Sequence, residues 1–153
     1  MNILFLDIDG VLNSAKLWAR DKPKSNTYMT RELCERFSAM LDQLPDVKIV
    51  MSSTWRMGYY DKAIDMLSKH GVSKDRFIGK TPIGGTIRLS GISESVERGI
   101  EIQQWLDAHP GVEKFVILDD NSDMAHLMPH LVKTTWEDGL QDSHCYQIIE
   151  RLK

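Results

Sequence analysis

Only two cysteines, Cys34 and Cys145, occur in the 153 residues, far apart and without CxxC spacing. That scarcity suits reduced structural thiols and excludes a disulfide framework or a zinc site built on paired cysteines. Nothing local would lower the pKa of either thiol, so neither is a candidate nucleophile. No uncharged apolar run is long enough to span a bilayer. The first residues, MNILFLDIDG, have no basic leader, and acids interrupt the apolar run by position 7. Both features predict a cytoplasmic chain without a membrane partner. There is also no basic excess: Lys and Arg number 19 against 22 Asp and Glu, for a net charge of −3. A general, salt-driven grip on nucleic acid is thereby disfavoured, though a nucleic-acid end remains open as a substrate. The five histidines show no metal-ligand spacing; His126 and His130 lie four apart, but Pro129 between them opposes a regular helix. Internal repeats and low-complexity tracts are lacking, and nothing calls for an obligate protein partner.

What is present is ordinary globular composition, 42% hydrophobic and 27% charged, at a length that suits one domain spanning 1–153. Four short apolar runs read as strands: Ile3 to Leu6, Val47 to Met51, Phe115 to Leu118 and Leu131 to Thr134. Being continuous rather than alternating, they predict strands buried on both faces of a parallel sheet. Helical spacing fills the gaps. Leu33, Phe37, Leu41 and Leu44 form one stripe, with Thr30 as N-cap and Pro45 as stop. A second helix is expected from about Tyr60 to His70, closed by Gly71. A third runs from about Val96 to Ala108, with Val96, Ile100 and Trp105 inward and Glu101, Gln104 and Asp107 outward. In a last helix Tyr146, Ile149 and Leu152 are expected to pack on the sheet. Alternating strands and helices give an α/β, doubly wound (Rossmann-like) domain with helices on both faces. Residues 77–95, rich in glycine and without clear periodicity, predict a flap or minimal hairpin cap.

In such a sheet, ligands bind at the carboxyl ends of the strands. Asp7 and Asp9 follow the first strand, Ser52 and Ser53 the second, and Asp119, Asp120 and Asp123 the third. Grouped carboxylates repel and raise one another's pKa unless a cation neutralises them. Magnesium suits oxygen ligands and is usually held by one or two carboxylates plus a phosphate. The cluster therefore predicts a magnesium-phosphate site. Arg56 is read either as a substrate-phosphate ligand or as a surface ion pair. The four tryptophans are read as core or rim aromatics, with Trp55 beside Arg56 the one to watch as a base-stacking group.

The stretches D-I-D-G-V at 7 to 11, Ser52 after an apolar strand, a basic residue at 98 and L-D-D-N-S-D at 118 to 123 resemble the four motifs of the haloacid dehalogenase superfamily. "VMSSTWR", "EIQQWLDAH" and "FVILDDNSDM" are similar to a small branch of nucleic-acid repair phosphatases, including the phosphatase half of phage polynucleotide kinase. The resemblance implies a magnesium-dependent phosphohydrolase. Asp7 would be the nucleophile that forms an aspartyl-phosphate. Asp9 would give a proton to the leaving oxygen, then serve as base toward water, with its backbone carbonyl meeting the metal. Gly10 would supply the turn, and Ser52, with Ser53, would hold a phosphoryl oxygen. Arg98 would neutralise phosphoryl charge; the superfamily often has lysine there, and Lys80 is the rival. Asp120 would ligate magnesium directly, with Asp119 acting through water and Asp123 orienting them, although the adjacent pair could exchange roles.

The chain leaves no room for a large cap domain, and an open site admits a large phosphorylated substrate such as a nucleic-acid end, or else a nucleotide. Two other functions fit the same residues. One is a phosphate-binding or regulatory module without turnover, which the presence of both Asp7 and Asp9 opposes. The other is a phosphotransferase to an acceptor other than water.

Overall fold

The computed structural model describes residues 1–84, 86–88, 91–94 and 96–153. Its elements run β1 (Asn2–Leu6), α1 (Ala15–Asp21), α2 (Arg31–Asp42), β2 (Val47–Met51), α3 (Tyr60–Ser68), β3 (Phe77–Lys80), β4 (Thr86–Arg88), β5 (Gly91–Glu94), α4 (Arg98–Asp107), β6 (Lys114–Asp119), β7 (Leu131–Lys133) and α5 (Asp142–Leu152). Five strands form one parallel sheet in the order β3-β2-β1-β6-β7. The chain first builds outward from β1 to β3, then returns to the other side of β1 with β6. The gap between β1 and β6 is therefore the point where strand order reverses, and crevices for ligands open there.

The two sheet faces bury different cores. Leu4 and Leu6 of β1 point with Ile49 and Met51 toward Leu33, Phe37 and Leu41 of α2, Leu67 of α3 and Ile148 of α5. Ile3, Phe5, Val50 and Ile117 point the other way, toward Ile102 and Trp105 of α4. Phe5 holds that second face together by edge-on contact with Trp105 (5.5 Å between centroids) and Phe115 (5.8 Å), a geometry aromatic quadrupoles favour. Helix α2 starts as its sequence dictates: the Thr30 hydroxyl accepts from Leu33 N, satisfying one of the donors that every helix N-terminus leaves open.

Several expectations need correction. Residues 77–80 form the fifth parallel strand rather than the start of a flap; alternating exposure and Gly79 hid an edge strand that lacks the apolar run of a central one. The antiparallel pair β4 and β5 forms the separate hairpin, while residues 85, 89, 90 and 95 of the expected flap lie outside the described residues. In α4 the orientation is rotated: Ile100 is exposed and Glu101 buried, because Glu101 meets a buried partner described below. Tyr146 points to solvent, and Cys145, Ile148, Ile149 and Leu152 cover the sheet instead.

Candidate active site

The parallel ladder continues one residue beyond each strand. Asp7 N donates to Leu118 O, Ser52 N to Leu6 O and Thr81 N to Met51 O, each at 3.0 Å. In-register residues point to the same face, so Ser52, Asp7 and Asp119 form one rung directed toward α4. Sheet registry, more than any local motif, brings three distant segments together.

Carboxylate oxygens of Asp7, Asp119 and Asp120 lie within 4.8 Å of one another. Asp7 and Asp119 are buried, and Asp120 is half-buried. Burial first, and then repulsion from Asp119 and Asp120, holds the Asp7 carboxyl well above the ordinary range despite the opposing pull of Arg98. Asp120 is raised by burial and by Asp119. Such a set of hard oxygen donors, destabilised by its own charge, fits a divalent cation of the magnesium type. Asp7, Asp119 and Asp120 would hold it.

Arg98 opens α4 and places its guanidinium between two of these acids, 3.1 Å from Asp7 and 2.5 Å from Asp119. Burial disfavours its charge, yet the two carboxylates more than offset this and hold its proton more firmly than usual. Lys80, the rival cation, is exposed, sits 5.1 Å from the Tyr60 ring centre and donates to Arg56 O. It has no contact with the acids among the described residues, whereas Arg98 has two. Asp123 lies outside the cluster. Its Oδ2 accepts from Arg98 N at 3.4 Å, while its other oxygen is buried without a partner among the described residues. Its carbonyl accepts from Gly99 N, so it seats the start of α4.

That seat demands Gly99. A Cβ there would lie 2.0 Å from Met124 O. In a free helix Gly→Ala gains about 1 kcal/mol, but a methyl pressed into a backbone carbonyl costs about 1–3 kcal/mol through forced displacement. Gly99→Ala is therefore expected to lower stability and to weaken activity by shifting Arg98. A urea midpoint equal to or above that of the native chain would refute this packing.

Asp9 is held apart from the carboxylate cluster. Its Oδ1 accepts from Asn13 Nδ2 (2.8 Å) and its Oδ2 from Trp55 Nε1 (3.2 Å). Asn13 also accepts from Gly10 N and donates to Tyr28 O, closing the loop on itself. Gly10 has φ +79°, and a Cβ there would fall 2.1 Å from Asp120 Oδ2. It thus needs both the left-handed backbone and the missing side chain. The Thr134 hydroxyl donates to Gly10 O at 2.6 Å, tying the loop to the end of β7.

Ser52 and Ser53 separate. Ser52 Oγ is buried without a hydrogen-bond partner among the described residues, an unsatisfied polar atom in the same rung as Asp7 and Asp119. Ser53 Oγ accepts from Trp55 N and caps a turn. Arg56 also departs from its expected role at substrate: it is buried and directed inward. It donates to the carbonyls of Ser52, Ser53, Thr81 and Pro82 and, at 2.9 Å, to Glu101, whose carboxylate also accepts from Gly84 N. Asn13, Glu101, Gly99 and Thr134 were not among the expected site residues. Asn13 had a sequence signal, a capping-type residue four positions after Asp9. Glu101 had none, because on a helix a lone glutamate reads as solvent-facing.

A sheet that places Asp7 after its first strand, Ser52 after the second and an acidic pair after the next central strand defines a haloacid dehalogenase-type domain. The chain belongs to the family described as "HAD domain in Swiss Army Knife RNA repair proteins", which it matches over residues 3–145. Comparison with curated proteins and with solved structures gives no significant match. Family membership supports phosphatase-type activity in general. No helix is long and apolar enough to cross a membrane among the described residues.

Proposed function

We propose that the protein is a magnesium-dependent phosphohydrolase that works through an aspartyl-phosphate on Asp7, with a phosphorylated nucleic-acid end as substrate. The observation that carries this reading is the pairing of buried Asp7 with Arg98 beside Asp119 and Asp120. An Asp7 oxygen attacks phosphorus in line, the bond to the leaving oxygen breaks, and Asp9 gives that oxygen its proton. Water then attacks the aspartyl-phosphate as Asp9 takes a proton back, releasing phosphate and restoring both side chains. Arg98 and Ser52 Oγ hold the phosphoryl oxygens during transfer. Asn13 and Trp55 fix the Asp9 carboxylate in direction. When bound, magnesium supplies charge neutralisation and orientation of the phosphoryl group. The words "RNA repair" in the family description favour a nucleic-acid end over a small metabolite.

The test is phosphate release from an aryl phosphate, nucleoside monophosphates, and 3′- and 5′-phosphorylated oligonucleotides, with magnesium or with chelator. Magnesium-dependent release, strongest with an oligonucleotide, is expected; release that chelator leaves unchanged would overturn the metal assignment. The raised Asp7 carboxyl adds a pH prediction. A ligand must lose its proton to bind metal, so an acid held above its ordinary pKa binds magnesium less well as pH falls toward it. Apparent magnesium affinity should weaken as pH is lowered from neutrality into the interval where the raised Asp7 carboxyl takes up its proton. A constant affinity across that interval would count against Asp7 as a ligand.

A further inference from the structure

Beside the Asp9 loop, and outside the carboxylate cluster, three aromatic rings gather from separate segments. Trp18 of α1 stands edge-on to Tyr28, 5.0 Å between ring centres, and leans on Trp136 at 6.1 Å. Trp136 follows β7 and is 45% exposed, a large apolar ring left open to solvent where the buried Trp55 and Trp105 are not. The cluster is held firmly: Ala15 N donates to Trp136 O at 2.7 Å, Lys16 pairs with Asp138, and the Tyr28 hydroxyl donates to Asp21. It is also tied to catalysis, because Asn13 Nδ2 bridges Asp9 Oδ1 at 2.8 Å and Tyr28 O at 2.7 Å.

The surrounding charge has the sign of a polyanion's partner. Segments 14–28 and 133–138 together carry five basic and three acidic side chains, a local excess of +2 in a chain whose net charge is −3. Lys22, Lys24 and Lys133 are exposed and have no salt-bridge partner among the described residues. Lys133 stands in register with Asp119, so a cation flanks the site at the end of β7.

We infer that Trp136, backed by Trp18, is a stacking platform for the base of the nucleoside that bears the scissile phosphate. The inference rests on the nucleic-acid-end reading above. Asp9 meets the leaving oxygen, and in a phosphorylated end that oxygen belongs to the terminal nucleoside. The base must then lie on the Asp9 side of the site, away from Arg98, the side on which Asn13 joins Asp9 to Tyr28 and Tyr28 meets the Trp18–Trp136 pair. Aromatic stacking tolerates any base, since every base has a π face, while the flanking lysines meet the following phosphates.

The experiment compares two substrates on three proteins. The substrates are the phosphorylated oligonucleotide hydrolysed best by the native chain and the same strand with an abasic terminal residue. The proteins are the native chain, Trp136→Ala and Trp136→Phe. The native chain is expected to prefer the base-bearing end in kcat/KM by about tenfold or more, the scale of one base–aromatic stack. Trp136→Ala is expected to reduce that preference to about one, and Trp136→Phe to keep most of it, a rescue that loss of fold would not give. A native-sized preference in Trp136→Ala overturns the platform while leaving the nucleic-acid reading intact. Hydrolysis of aryl phosphate but of no oligonucleotide overturns the nucleic-acid reading and the platform with it.

Discussion

Asp7→Asn is expected to reduce phosphate release on the order of 10⁴-fold or more, the scale seen when an enzyme loses its covalent nucleophile, and to make the metal-free protein more stable at neutral pH. The two effects have one cause. Asp7 is buried at the end of β1 beside Asp119 and Asp120, and its carboxyl is held well above the ordinary range by burial and by those neighbours. For an acid raised in the folded state, the protonated form favours folding. That contribution is complete below the unfolded-state pKa of about 4 and is lost as pH rises through the folded-state value. At pH 7 the metal-free fold therefore disfavours an ionisable group at this position, and an uncharged amide removes that cost, even though Arg98 gives up one partner and keeps Asp119. In chelator the variant should melt about 3 °C or more above the native chain, with the gap closing toward pH 4. Saturating magnesium should reverse the order, because the ion stabilises only the chain that binds it well. Thermal melts at two pH values, with and without magnesium, decide the matter. An Asp7→Asn protein that melts lower in chelator at pH 7 would mean that the Arg98 pair outweighs the burial.

Arg56→Lys is expected to cost about 1–3 kcal/mol, the penalty for leaving buried acceptors without their donor while the charge facing Glu101 is kept. Against a total stability of about 5–15 kcal/mol for a domain, that is a large fraction. The guanidinium donates to four backbone carbonyls and to Glu101. It thereby joins the turn after β2, the exit of β3 and the middle of α4. A lysine has one nitrogen at the end of a flexible stem and lacks the planar fork that meets these acceptors together. Glu101→Gln should cost more, about 3–5 kcal/mol, since the amide oxygen can still accept from Arg56 and from Gly84 N but the buried guanidinium loses its counter-charge. Urea midpoints separate the cases: a Glu101→Gln loss below about 1 kcal/mol would show that the pair behaves like a surface bridge. Because α4 also carries Arg98, the loss of Arg56 should lower activity at temperatures where the variant is still folded.

The sequence alone determined the elements whose signals are local. Apolar runs that favour burial on both faces made the central strands β1, β2 and β6 legible, the shorter run at 131–134 marked the edge strand β7, and Thr30 marked the start of α2 because an N-cap is a contact over three residues. The approach of Asp7, Ser52, Asp119 and Asp120 was legible because strand ends of a parallel sheet share one edge, whereas the separate settings of Asp9 and Asp123 were not. Tertiary structure decided what depends on a partner far along the chain. β3 is an edge strand whose identity comes from its ladder with β2. The inward turn of Glu101 and the retreat of Arg56 from substrate depend on each other across 45 residues, and neither side chain alone shows it. The contact of Arg98 with Asp7 and Asp119 follows from where α4 is seated, a position set by a glycine against the Met124 carbonyl. Burial makes such contacts strong by excluding water, and burial is a property of the packed sheet and helices rather than of any stretch of sequence.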